Sequence, residues 1–293
     1  MMFVGTAVIT GGSLGLGLET ARHLVRTHRD IVIVGRDRGR LTSAANELRA
    51  TGATVDTFAV DLLDNSEVRG LAAALVYRKQ KIDVLVNNAG AAFPRYGETP
   101  DSVERTYSIN HHASFLLTHL LLASSAFADE ARIINVSSAT ESRGRLDRAA
   151  PDVEGTTWRK GRYFPPVVYG TSKLLSLLAT RELAARLPPG MSIYNADPGR
   201  VRGTQFNTRA GGLMKLSAPL VAAFAVPLER GVRTNIRLAT SLEPPTPSGG
   251  FFAQGRLAKP SRQARDDTLA RLVYDRTAEL LRIQAPPLVD AVD

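Results

Sequence analysis

The stretch Val168-Tyr169-Gly170-Thr171-Ser172-Lys173-Leu174 sets a phenol four residues ahead of an ammonium, with only small side chains between them. On a helix that spacing puts Tyr169 and Lys173 on one face. A phenol ordinarily titrates at about pH 10, too high for ready proton transfer at neutral pH. A fixed cation beside it favours the phenolate and lowers that value. The pair predicts an acid/base centre, although a surface tyrosine stacked on a lysine stem would leave the same pattern. Pro165 and Pro166 predict a helix start just upstream, leucines from Leu174 to Leu187 recur at three- and four-residue spacings, and Pro188-Pro189-Gly190 stops the helix.

Other residues suited to chemistry fall where apolar runs end. Thr10-Gly11-Gly12-Ser13-Leu14-Gly15-Leu16-Gly17 has glycines at the GxxxGxG spacing of a dinucleotide loop. Such a loop lets backbone approach a pyrophosphate, and the helix after it offers free N–H groups and a positive dipole end. Gly35-Arg36-Asp37 follows the next run. An acid there would take a ribose 2′-hydroxyl; Arg36 instead suits a 2′-phosphate and favours NADP(H), while Asp37 fits a helix cap. Asp61 is placed to accept from an adenine amino group, with Leu62 against the ring. Asn87-Asn88-Ala89-Gly90 ends a buried run with two amides that need partners, and Asn88, Ala89 and Gly90 would border a cofactor. Ser137-Ser138 and Asp197-Pro198-Gly199-Arg200-Val201 close the last two runs.

The elements that must position these groups alternate. Strands are predicted over 6–10, 31–35, 54–60, 82–86, 132–136 and 191–196, and helices over 16–27, 41–50, 66–77, 101–127 and 169–187. Repeated strand–helix units with short apolar strands predict an α/β fold with a doubly wound parallel sheet covered on both faces, in three layers. Ligands of such sheets sit beyond the carboxyl ends of the strands, where the groups above lie.

Composition narrows the class. The chain has 293 residues, which suits a single α/β domain, and 44% hydrophobic residues, enough for a full core. Cysteine is absent, which excludes disulfides, thiolate catalysis and cysteine-ligated metals. The five histidines, His23, His28, His111, His112 and His119, form no metal-ligand spacing, so no metal is expected. The net charge of +9 comes from scattered basic residues without a nucleic-acid motif, and suits a phosphate-rich small cofactor. No apolar run approaches the length of about 20 residues that spans a bilayer, and no leader pattern is seen, so a cytoplasmic protein without an integral membrane segment is expected.

The motifs TGGSLGLG, NNAG, Asn110 in SINHHASFLLT, INVSS, YGTSK and DPGRV stand in the order and at distances like those of the short-chain dehydrogenase/reductase family, which the chain resembles over roughly residues 4 to 204. The resemblance implies a Rossmann-type fold and a catalytic group of Asn110, Ser138, Tyr169 and Lys173. Tyr169 would protonate the substrate oxygen. Ser138 would orient it. Lys173 would lower the phenol pKa and bond the nicotinamide ribose, and Asn110 would hold a water that returns protons. Gly170, Thr171 and Ser172 would let cofactor and substrate lie close to the helix. Gly11, Ser13, Leu14, Gly15, Leu16, Gly17, Arg36, Asp61, Leu62, Asn88, Ala89, Gly90, Tyr169, Lys173, Pro198, Gly199, Val201 and Thr204 would contact the cofactor.

Later segments, PLERG at 227–231, SGGFF at 248–252 and LVYDRTAELL at 272–281, are similar to the retinol dehydrogenase and protochlorophyllide reductase branch. That branch reduces bulky apolar carbonyls or alkenes with NADPH. Residues 141–166 read as an inserted loop near the site, since the interval between Ser138 and Tyr169 exceeds that of most members. Residues 204–227 read as a substrate lid, with a packed core helix or an interfacial anchor as alternatives for the apolar part from Gly211. Asp197 stands where the branch often has histidine, near the possible partners Arg200 and Arg202. The expectation is a reductase of a lipophilic ketone or aldehyde, with a biosynthetic ketoreductase of secondary metabolism as one form and a non-catalytic NADP-binding redox sensor as the alternative. The apolar helices 109–127 and 169–187 need cover, from a second copy in a homodimer or from the chain's own insertion in a monomer.

Overall fold

The computed structural model describes residues 3–201 and 226–288. Eight strands form one sheet in the order β3-β2-β1-β4-β5-β6-β7-β8. They are β1 (Phe3–Thr10), β2 (His28–Gly35), β3 (Thr54–Ala59), β4 (Ile82–Asn87), β5 (Phe127–Val136), β6 (Ser192–Asp197), β7 (Phe251–Ala253) and β8 (Arg256–Leu257). The first seven run parallel. The last pairs antiparallel with β7 at the edge. The order reverses beside β1, where chain connections leave in opposite directions and open a crevice.

Strand periodicity sorts the core into two layers. Val8, Val32, Leu85, Ile133 and Ile193 face one side, with residues of α3 (Asn65–Tyr77), α5 (Ala113–Ala123), α7 (Pro165–Ala184) and α10 (Asp267–Leu280). Ile9, Ile31, Ile33, Val86, Ile134 and Tyr194 face the other, against α1 (Gly15–Leu24), α2 (Arg38–Arg49) and α9 (Arg233–Thr240). A third cluster joins Tyr107 and Val153 to Val168, Leu174 and Leu178 of α7 and to Leu269 and Val273 of α10. It is why α7 is buried around most of its circumference.

The cover over α5 and α7 comes from the C-terminal helix α10 as well as from the inserted segment. Tyr274 on α10 shares a 2.7 Å hydrogen bond between its hydroxyl and His119 Nε2, and Thr277 Oγ1 lies 3.0 Å from His111 Nε2. The Arg186 guanidinium stacks over the Tyr274 ring at 4.8 Å. Two further differences from expectation are local. β5 begins at Phe127, because Phe127 pairs with Ile82 before the apolar RIINV run starts. The predicted 101–127 helix starts at Arg105 and carries a π-type turn over Ser108–His112. Among the described residues no helix is long and apolar enough to cross a membrane.

Burial of four imidazoles has a consequence for stability. Burial pushes His28, His112 and His119 down to about 4, and His111 well below its ordinary value. The unfolded chain therefore binds more protons than the folded one as pH drops below about 6.5. The stabilisation is present above that pH and is lost as pH falls toward 4. The melting temperature should fall steadily between pH 7 and pH 5; a flat or rising melting temperature over that range would contradict this reading.

Candidate active site

The loop after β1 is shaped by close backbone approach. A Cβ at Gly17 would lie 2.2 Å from the Gly11 carbonyl, so no other residue fits without moving the loop. Gly15 has φ +55° and open space beside it. No side chain caps α1 at Leu14, so its first-turn N–H groups have no capping acceptor there. The loop is stapled to the end of β4. Thr10 Oγ1 accepts from the Asn88 and Ala89 N–H groups at 3.0 and 3.1 Å. The Asn88 amide donates to the Thr10 carbonyl at 2.9 Å and to the Gly11 carbonyl at 3.3 Å. Asn88 thus shapes the loop, and Thr10, a partner the sequence reading passed over, is the hub. A threonine directly before the first glycine was the available signal.

Ser13, Leu14 and Leu18 line one side of an open groove of about 580 Å³, with Asp37, Gly39, Arg40 and Ser43 opposite. Asp37 does cap α2, accepting from the Arg40 N–H at 3.0 Å. Arg36, next to Asp37 in the chain, is exposed, with its guanidinium 3.8 Å from the Asp61 carboxylate, a distance at which an exposed pair holds weakly. Leu62 departs from expectation. It is only 6% exposed and belongs to the buried cluster of Val60 and Val68, so it offers little surface to a ring.

Asn110, Ser138, Tyr169 and Lys173 do converge. Asn110 sits on the π-type turn. Its amide donates to the carbonyls of Ala91 (2.7 Å) and Thr106 (2.9 Å) and lies 3.2 Å from Ser172 Oγ, while its Oδ1 accepts from the Ala91 N–H at 3.1 Å. That side chain clamps the loop after β4 against α7, and Gly90 lies directly beneath it. Ser138 lies two residues past β5, caps the turn over Ala139–Arg143 by accepting from Thr140 N–H and Oγ1, and its side chain is hydrogen bonded to Tyr169. Lys173 donates to the Val136 carbonyl at 2.7 Å, and its ammonium lies 5.7 Å from the centre of the Tyr169 ring.

The electrostatics of the pair are set mainly by burial. Burial pushes the Tyr169 phenol above its ordinary value; the Ser138 bond pulls it down and Asp197 pushes it up again. The Lys173 ammonium is held on the Val136 carbonyl, 5.7 Å from the centre of the phenol ring. Burial in turn brings Lys173 down to about 8. The small residues between them also serve the chain itself. A Cβ at Gly170 would meet the Thr140 carbonyl at 2.5 Å, Thr171 Oγ1 accepts from the Arg145 N–H, and Ser172 takes the Asn110 amide. Pro198, Gly199 and Val201 lie past β6, where Val201 is buried and bridges to Val226. Thr204, together with nearly all of the 204–227 segment, lies outside the described residues.

Comparison with known proteins agrees with this geometry. The profile of the short chain dehydrogenases matches residues 5–150. Retinol dehydrogenase 12 of Mus musculus is 36% identical over 282 residues, which cover 94% of this chain and 86% of that protein. The chain belongs to the short-chain dehydrogenase family. Within it the chain falls in the retinol dehydrogenase branch and is an oxidoreductase. A Streptomyces sp. (strain C5) protein named as a daunorubicin C-13 ketoreductase, DnrU, is 32% identical over 93% of this chain and 91% of its own. A solved structure of an uncharacterized protein from Mycobacterium Paratuberculosis is similar over 98% of this chain and 97% of its own, with TM-score 0.75 and 29% identity. A blue fluorescent protein from a metagenomic library, solved in complex with NADPH, is similar over 85% of this chain and 95% of its own, with TM-score 0.64 and 27% identity.

In this short-chain dehydrogenase the segment between Ser138 and Tyr169 is packed onto the element that carries Asn110. Tyr163 donates to the buried Glu104 carboxylate at 2.9 Å, and Trp158 Nε1 donates to the Tyr107 hydroxyl at 2.9 Å. Glu104 also accepts from Thr106 Oγ1 and the Tyr107 N–H, each at 3.0 Å. On the other side, Glu141 takes the Ser261 N–H and hydroxyl. Neither glutamate stood out in the sequence, since a single acid in a polar run has no signature. Tyr163→Phe should cost about 1–3 kcal/mol, the range for a lost bond to a buried acid. Hydrogen exchange over residues 144–164 should speed up in that variant; unchanged protection would show that Glu104 does not latch the segment.

Proposed function

We propose that the protein is an NADPH-dependent reductase of a bulky apolar ketone or aldehyde. The observation that carries this reading is the convergence of Tyr169, Ser138 and Lys173 at the ends of β5 and β6, on the sheet edge that also bears the glycine loop. The loop fits a dinucleotide: its backbone is held open by glycines, its helix N-terminus has no side-chain cap, and a groove continues from it to Asp37 and Arg40. Gly11, Ser13, Leu14, Gly15, Leu16 and Gly17 would hold the pyrophosphate, Arg36 a 2′-phosphate, and Ala89, Gly90, Pro198, Gly199 and Val201 the nicotinamide half. The NADPH complex of the metagenomic relative supports the choice of cofactor.

The cofactor, when bound, supplies the hydride. The chain's residues handle the oxygen. Ser138 fixes the carbonyl oxygen within reach of Tyr169. Tyr169 gives its proton to that oxygen, and its raised pKa keeps the proton in place until the oxygen gains charge. Lys173, buried and protonated at neutral pH, holds the ribose side of the site and replaces the lost proton. The inserted 141–166 segment forms the substrate side, with Phe93, Tyr96, Trp158 and Tyr163 supplying aromatic surface. The named activities of the relatives, on retinol and on a C-13 ketone, support a large lipophilic carbonyl compound, and a biosynthetic ketoreductase is the form that the Streptomyces relative favours.

Tyr169→Phe should lower kcat for ketone reduction by about a hundredfold or more, the usual contribution of a positioned acid, and leave NADPH binding near its original strength. Full turnover in that variant would remove the proposed acid. Arg36→Ala should weaken NADPH by about tenfold while sparing NADH, as expected for loss of one charge-assisted contact. Equal losses for the two cofactors would contradict a 2′-phosphate role.

A further inference from the structure

Asp197 is the last residue of β6 and is only 6% exposed, a carboxylate sunk at the carboxyl end of the sheet. Its neighbours Arg200 and Arg202 were the sequence-level candidates for partners. Arg200 is exposed and makes no bond to it, and Arg202 lies outside the described residues. Instead Oδ1 accepts from the Gly199 N–H at 2.9 Å; burial raises the carboxyl above its ordinary value, while Gly199, the nearby Ala139 N–H and Lys173 favour its ionised form. Ser137 N–H bonds the Ala196 carbonyl at 2.8 Å, so the ends of β5 and β6 are locked side by side at this point. Across that junction sits Lys173, anchored on Val136, one strand position from Ser137. Among the described residues the titratable groups that act on Asp197 are Lys173 and Tyr169, both from α7; β5 and the turn after it contribute only backbone and Ser138.

A carboxylate in that place does two things. Its bond to Gly199, beside the Ser137–Ala196 bond, holds the turn after β6 against the turn after β5 that carries Ser138. It also lays a negative charge behind the phenol and the ammonium, in a site too dry to screen it well. A negative charge disfavours phenolate and favours ammonium. Both effects keep protons on the pair.

We propose, building on the reductase reading above, that Asp197 is a positioning residue which holds the Ser138 turn and keeps Tyr169 and Lys173 in their proton-bearing forms. Carbonyl reduction, which needs the phenol, then persists to higher pH. Alcohol oxidation, which needs the phenolate, is confined to higher pH. The bonds made and broken are those of the reductase itself: hydride adds to the carbonyl carbon, and the Tyr169 proton passes to oxygen.

The test is the pH profile of kcat/KM with NADPH and a lipophilic ketone, and of the reverse reaction with NADP and the matching alcohol. Asp197→Asn keeps the shape of the side chain and removes the charge; Asp197→Ser is a second neutral variant. In both, the alkaline limb of reduction should move to lower pH by about one unit, as expected when a nearby like charge is removed from an acid, and the onset of oxidation should move with it. A profile that stays in place, with or without a uniform loss of rate, would overturn the proposal, because a purely structural role lowers rate without moving the limb. Carbon-13 NMR of the unmodified protein labelled in aspartate should find the Asp197 carboxyl ionised at pH 7, and a protonated carboxyl there would overturn it even if neither variant folds. Tyr169→Phe assayed alongside separates the two readings. Retained turnover in Tyr169→Phe removes the reductase assignment; a dead Tyr169→Phe with unmoved Asp197 profiles removes only the role of Asp197.

Discussion

A buried ammonium must find oxygen partners, and Lys173 finds the main-chain carbonyl of Val136 at the end of β5. Much of the site follows from that bond. It fixes the rotation of α7 over the strand ends, which turns Tyr169 toward Ser138 and Ser172 toward Asn110. It also sets how close α7 comes to the turn after β5, close enough that Gly170 has the Thr140 carbonyl against it. The same helix is covered by α10 and by the segment that follows Ser138, so its position is held from three sides. The chemistry thus rests on a rigid layer, and the charged nitrogen is part of the packing before it is part of the reaction.

The sheet and its glycine loop were legible because their causes are local. Near-continuous burial in β1, β2, β4 and β6 and over the apolar end of β5 follows from apolar runs, and the glycines mark a tight turn that few other residues permit. The edge hairpin β7–β8 was not legible, since strands of three and two residues carry no periodicity. The π-type turn at Asn110 was hidden for a different reason. It depends on the Asn110 amide reaching Ala91 and Ser172, which are distant in sequence.

The catalytic group was recognisable from motif order, but the work of individual residues was not. Asn88 was read as a cofactor contact, and its amide also staples the Thr10–Gly11 backbone. Leu62 looked like a ring support and is core. The small residues of the Tyr169–Lys173 turn, read as room for a ligand, also leave room for the chain's own turn at Thr140. In each case the residue type restricts what can fit, while the partner is chosen by tertiary structure. The same holds for the phenol: spacing suggested a cation that lowers its pKa, whereas burial and the Asp197 charge raise it.

The central claim is that this sheet edge holds a phosphorylated nicotinamide dinucleotide beside an acid that completes carbonyl reduction. The most direct measurement is a fluorescence titration of the unmodified protein with NADPH and with NADH, followed by nicotinamide absorbance on a panel of bulky ketones and aldehydes. The account predicts tighter binding of NADPH than of NADH and consumption of NADPH with at least one apolar carbonyl compound. No binding of either cofactor would contradict the reading of the glycine loop and of everything arranged around it.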